Sequence, residues 1–187
     1  MNTLRILCLI ALAAVVWPTA GQAKLYLTRD AGLALAFGDS ATVTTRTAYL
    51  DADQVEAIAR RAVAPFSARR VTYYIGRAPD GTHLGHAYIE THRIRSLTET
   101  IMVVVDRKGR AARIEVLAFN EPEDYLAPPG WRHLLEGADL DRPLAPGHDL
   151  PNLSGATLTA RALAAGVRRQ LAIHAILEGV VTRDARP

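Results

Sequence analysis

The chain runs to 187 residues, 49% of them apolar, with a formal net charge of +3 and a single cysteine. That is one domain's length, with enough apolar surface to close a core unaided. The lone Cys8 excludes a disulfide framework and cysteine-ligated zinc or iron–sulfur sites, and the absence of C-x-x-C-H excludes ordinary c-type haem attachment.

At the N-terminus, Arg5 precedes an apolar run from Ile6 to Trp17, which Pro18 breaks. Gly21-Gln22-Ala23 then offers small residues where a signal peptidase reads. Residues 1–23 are therefore expected to be a secretory signal peptide and the mature chain periplasmic. Left uncleaved, the same segment would anchor the chain to a membrane; no other stretch approaches that length. Residues 24–70 read as an N-terminal segment packed on the main domain: an arm, a short helix over 31–37 and a Thr-rich strand over 41–46. A clearer helix follows over 50–64, with Asp51 or Asp53 to cap it, a stripe of Val55, Ile58, Ala59 and Ala62, and Pro65 to end it.

The period then changes to two. Strands are predicted over 70–77 and 84–91, joined by a Pro79-Asp80-Gly81 turn, and over 100–105 and 112–119, joined at Asp106-Arg107-Lys108-Gly109. Val103 to Val105 is apolar on both faces, which places that strand centrally. Residues 121–130 form a Pro-rich loop, 131–135 a helical turn and 142–151 irregular chain. The last helix is predicted over 156–178, with a stripe of Ala160, Leu163, Val167, Leu171 and His174 or Ala175. The fold class is α+β, a mostly antiparallel sheet packed with helices.

The basic residues fall in small groups: Arg60-Arg61, Arg69-Arg70, Arg93 with Arg95, and Arg168-Arg169. Few aromatics interleave with them, so solvated faces are expected and a nucleic-acid partner is not. His83, His86 and His92 lie close in sequence. If 84–91 is a strand, His86 and His92 share a face and His83 points opposite, so no metal site is expected. A hydrolase with Ser154 as nucleophile beside His148 and Asp149 lacks the G-x-S-x-G elbow. Asn152-Leu153-Ser154 matches a glycosylation sequon by chance, given the look of an exported bacterial chain.

Ser154-Gly155-Ala156-Thr157-Leu158-Thr159 stands where a turn gives way to the last helix. A helix N-terminus carries partial positive charge and unpaired amides, which suit a phosphate, and the small Gly155 and Ala156 leave the main chain approachable. Two hydroxyls, on Thr157 and Thr159, lie within reach. Read locally, Ser154 caps the helix, Thr159 caps or back-bonds in its first turn, and no anion is needed.

The S-G-A-T-L-T string, the helix after it and the upstream strand ending Phe119-Asn120-Glu121-Pro122 together resemble the FMN-binding domain family, from about residue 71 to 175. That family includes the flavin-carrying subunits of Rnf-type and sodium-pumping NADH:quinone reductases. The resemblance implies an FMN-binding domain over 71–182. It implies FMN attached at the N-terminus of the C-terminal helix, through a phosphoester to Thr157 made by a flavin transferase from FAD.

Ser154, Gly155, Ala156, Leu158 and Thr159 would surround the phosphate, and Asn120 and Glu121 would lie near the flavin. Phe119, Tyr125 and Trp131 are aromatics that could stack on the ring or serve as core. One position departs from the family. The acid usual three places before the S/T is here Pro151, and the nearest acid is Asp149. The function implied is an exported electron carrier between redox partner proteins, membrane-bound ones among the candidates, rather than an enzyme with its own substrate. The alternative is a non-flavinylated binding or structural module of the same fold.

Overall fold

A computed structural model describes residues 24–184; the expected signal peptide lies outside them. Strands β1 (Lys24–Leu25), β2 (Thr42–Tyr49), β3 (Arg70–Arg77), β4 (His83–Arg93), β5 (Thr98–Val105) and β6 (Ala111–Phe119) form one antiparallel sheet in the order β1-β6-β5-β4-β3-β2. Four helices accompany it: α1 (Arg29–Phe37), α2 (Ala52–Ala62), the short α3 (Pro129–Arg132) and α4 (Thr157–Asp184). The fold is α+β, as expected, and residues 24–70 supply both edge strands of the sheet.

Alternation along β5 explains the layering. Ile101, Val103 and Val105 face one core, shared with Ile58 of α2 and with Leu163, Val167 and Leu171 of α4. Met102 and Val104 face the other, shared with Leu33 of α1, Tyr74, Ala87 and Leu117. A strand covered on both faces must be apolar at every position, so β5 lies inside the sheet with β4 and β6 beside it. Each fully buried Leu or Val contributes about 1.5–3 kcal/mol relative to exposure, so the larger core, under α2 and α4, dominates.

Local signals set the helix ends. Asp51 caps α2 in a capping box: its Oδ1 accepts from the Gln54 amide at 2.8 Å, and Gln54 Oε1 accepts from the Asp51 amide at 3.0 Å. The helix stops at Val63, whose left-handed backbone (φ 50°) precedes Pro65. Arg168 of α4 then reaches the carbonyls left open there. Its guanidinium donates to Ala62 O (2.8 Å) and Arg61 O (3.1 Å), and to Arg142 O and Pro143 O in the loop before α4. Arg168 is thus buried, and it clamps α2, α4 and that loop together instead of lying on a solvated face. Arg169 is absorbed as well.

The seam between β4 and α4 is polar where sheet–helix seams are usually apolar. His86, Tyr88, Glu90 and His92 alternate onto the α4 side of β4. Arg169 Nε donates to both Glu90 oxygens (3.0 and 3.1 Å), and Gln170 Nε2 donates to the same carboxylate. His92 lies between Glu90 (Nδ1 to Oε1, 3.2 Å) and the fully buried Glu99 (Nε2 to Oε2, 3.1 Å). Burial opposes a charge on His92, but the two carboxylates outweigh it and raise its pKa above the ordinary value. Glu90 is likewise opposed by burial, yet His92 and Arg169 hold its pKa below the usual carboxylate range. Gly166 permits this approach of α4: a Cβ there would lie 2.9 Å from Ile101 Cδ1 and 3.3 Å from the His92 ring.

Three details differ from expectation. The edge strand β1 pairs with the end of β6 and is too short for periodicity to mark. Helix α4 begins at Thr157 and continues to Asp184, beyond the predicted 178. A register shift at Gly76/Arg77 lets Arg77 pair with His83 where an unbroken ladder would oppose it to Leu84. That bulge turns His83 onto the face of His86, their rings meeting edge-on at 4.7 Å, so the expectation that His83 points opposite is corrected.

Candidate functional site

The start of α4 forms one wall of a cavity of about 220 Å³, lined by Ile94, Arg95, Glu121, Tyr125 and the run Gly155, Ala156, Thr157, Leu158, Thr159. Seven of the residues singled out for the site from sequence thus meet in one place, although Glu121 and Tyr125 lie outside the Gly155–Thr159 run.

The helix start explains the chemistry. Ala156 O accepts from the Ala160 amide at 3.0 Å, which makes Ala156 the capping residue, and an alanine has no side-chain acceptor. Among the described residues no side chain accepts from the amides of Thr157, Leu158 or Thr159, so the expected Ser154 cap is corrected: Ser154 is an exposed turn residue. Gly155 has φ +79°, a left-handed conformation that turns the chain into the helix with no side chain in the way. Thr157 Oγ1 donates to Leu153 O at 3.2 Å. Thr159 is 1% exposed, and its Oγ1 is buried without a hydrogen-bond partner. A buried unpaired hydroxyl beside free amides is a donor set lacking its acceptor.

Glu121 has an assigned task in this geometry. Its Oε1 accepts from the amides of Leu97 (2.8 Å), Ser96 (2.8 Å) and Arg95 (3.3 Å), pinning the β4–β5 turn over the cavity. Those amides, against a smaller opposing effect of burial, hold its pKa below the usual carboxylate range. The expected flavin contact does not anticipate this; no local spacing links Glu121 to a turn 24 residues upstream. Asn120 stands just outside: its side chain donates to Thr98 Oγ1 at 2.8 Å, and its own Oδ1 is buried without a partner. Of the three aromatics, Tyr125 lines the cavity with the Arg95 guanidinium 5.6 Å from its ring centre. Phe119 lies in the core, and Trp131 is buried with its Nε1 donating to Pro151 O at 2.9 Å.

Asp149, the acid nearest Pro151, is occupied. Burial works against its charge, but the amides of Ala145 (2.6 Å) and Leu144 (3.2 Å) and Arg142 Nε (3.0 Å) hold it ionised and lower its pKa. His148 is exposed and Ser154 makes no bond to either residue, so no nucleophile–base pair forms there. No helix among the described residues is long and apolar enough to cross a membrane. The chain matches no protein-family model, no characterised protein and no solved structure, so the reading of this cavity rests on its own geometry and on the resemblance of the S-G-A-T-L-T string.

Proposed function

We propose that this chain carries one FMN in phosphoester linkage to Thr157 and passes electrons between redox partner proteins outside the cytoplasmic membrane. The observation that carries the reading is the cavity itself. Residues 157–159, with their uncapped amides and the unpartnered Thr159 hydroxyl, line the same space as Tyr125 and Arg95. A phosphate at a helix N-terminus is stabilised by those amides and the helix dipole.

In the attachment step the Thr157 oxygen bonds to the phosphorus of the FMN half of FAD. The pyrophosphate bond breaks, AMP leaves, and the threonine proton passes to the leaving phosphate or solvent. The flavin supplies one- or two-electron transfer when bound; this chain supplies the anchor, the amides and a cation at Arg95. Clefts that enclose a whole small-molecule ligand span about 300–1,000 Å³. A cavity of about 220 Å³ leaves part of a tethered flavin exposed, which suits an electron carrier met by protein partners.

The test is the intact mass of the protein after incubation with a flavin transferase and FAD, beside Thr157→Ala. A gain of one FMN less one water, absent from the variant, is expected. An unmodified mass, while a control substrate of the same transferase is flavinylated, overturns the proposal. It would favour the second reading, a binding module without flavin, to which Pro151 and the internally engaged Asp149 already point.

A further inference from the structure

At the other end of the β4–α4 seam lies a cleft of about 580 Å³, lined by His83, His86, His174 and Glu178 together with the β5–β6 turn. Sequence spacing grouped His86 with His83 and His92. The fold instead brings it to His174 and Glu178 of α4, with one ligand atom from each of the three within 4.8 Å of the others. The His86 and His174 rings are 5.0 Å apart, and both residues are buried.

Neither ring nitrogen of His86 makes a hydrogen bond. Nδ1 is buried without a partner, and Nε2 lies 3.7 Å from Glu178 Oε1, beyond hydrogen-bonding distance. Burying an imidazole in this state is costly unless something outside the chain completes it. His174 is prepared differently: its Nδ1 bonds the Tyr88 hydroxyl at 3.0 Å, which fixes the ring and leaves Nε2 facing the cleft. Burial, reinforced by the neighbouring His174 and His83, lowers the His86 pKa to about 4, and burial lowers that of His174 too, so both rings are neutral near pH 7, the form that ligates metals.

We propose that His86, His174 and Glu178 bind one divalent first-row transition ion, best fitted by zinc. Two imidazoles and one carboxylate are a zinc donor set. Tetrahedral geometry with bonds of about 2.0–2.1 Å needs ligand atoms roughly 3.4 Å apart, close to the 3.7 Å already present between His86 and Glu178. The fourth position opens to the cleft for water. Tyr88 acts as the outer partner that orients a ligating histidine. Oδ1 of the nearby Asp106 accepts from the amides of Lys108 and Arg110 in its own turn, and the converging ligand atoms come from His86, His174 and Glu178. The run of helix from Thr157 to His174 is about 25 Å, so this site is separate from the flavin cavity and does not depend on that reading. Its ion would tie β4 to the C-terminal half of α4.

The test is titration of the metal-free protein with zinc against a chromophoric chelator, with and without bound flavin. One tightly bound equivalent is expected. Glu178→Gln lies at a half-exposed position that does not threaten folding, and it should weaken binding about tenfold or more. His174→Gln should do the same, while the double variant His133→Ala/His148→Ala, which removes two exposed imidazoles, should leave affinity unchanged. Cobalt bound in place of zinc should show the intense visible bands of a tetrahedral site, absent in His86→Ala. Failure to bind a stoichiometric equivalent overturns the proposal. So does binding that survives Glu178→Gln and His86→Ala but falls when His133 and His148 are removed.

Discussion

Of the three histidines on strand β4, His86 and His92 face the same helix and meet opposite electrostatic surroundings. His92 sits between two carboxylates and is held as a cation; His86 faces another histidine and is held neutral. Burial disfavours charge at both. What separates them is whether the chain supplies anions close enough to outweigh desolvation. Glu90 and Glu99 do so at the His92 end, where Arg169 and Gln170 also bond to Glu90. At the His86 end Glu178 stands 3.7 Å away and half in solvent, and no comparable compensation arises. One end of the seam is closed by the protein's own charges, while at the other the buried His86 Nδ1 has no hydrogen-bond partner.

The comparison breaks most visibly in stability. His92→Leu removes the cation beside Glu90 and leaves the fully buried Glu99 without its His92 partner, while Glu90 keeps Arg169; the change should cost about 3 kcal/mol or more in urea unfolding. His86→Leu, in metal-free protein, replaces an imidazole that makes no hydrogen bond with an apolar group of similar size. It should fall within about 1 kcal/mol of wild type. Equal losses at both positions would show that the two ends are not differently completed.

A pH titration of stability sharpens the same contrast. The folded pKa of His92 lies above the ordinary imidazole value of 6.5, so its contribution is fully present below about that pH. It is lost as pH rises through the raised folded value, with a slope of at most about 1.4 kcal/mol per pH unit. Glu90 works in the other direction: its folded pKa is below the ordinary carboxylate value of 4.5, so its contribution is present above that pH and lost as acid reaches the folded value. His92→Gln should flatten the alkaline-going limb and also shrink the Glu90 limb, leaving there only the part that Arg169 supports. A wild-type profile level from pH 6 to 9 would mean that His92 is not held as a cation.

Much of this arrangement is legible in the sequence, and the illegible part has a common cause. Alternation marks β3 to β6 because each strand has one or both faces in a core, and Val103 to Val105 correctly announces a central strand. Asp51 and Pro65 bracket α2 because capping and ring closure act within a few residues. The α4 stripe from Ala160 to His174 is buried as its spacing predicts. The cavity residues at the start of α4 are likewise consecutive, and a string motif exposes them. By contrast, Glu121 pins a turn 24 residues upstream, Arg168 reaches carbonyls more than 100 residues away, and His174 meets Tyr88 across 86 positions. Such partners are set by strand order and by a bulge that turns His83 around, and no local periodicity encodes either. Ser154 misleads for the reverse reason: a good capping residue sits two places too early, and the turn at Gly155 hands the cap to an alanine.

The smallest expected effect is the most discriminating. Tyr88 is buried, with burial raising its pKa so that the phenol stays neutral, and its hydroxyl shares one proton-bearing contact with His174 Nδ1. Tyr88→Phe keeps the ring and its packing against Tyr73, 5.9 Å between centres, and deletes only that contact. Loss of one neutral hydrogen bond should cost about 1 kcal/mol in metal-free protein. If the bond exists only to satisfy two buried groups, zinc affinity should then be unchanged. If it orients His174 for an ion, affinity should fall about tenfold, as when an outer partner of a ligating histidine is removed. The stability loss is common to both cases, so the ratio of the two effects decides whether the His86 end of the seam is an imperfect core or a binding site.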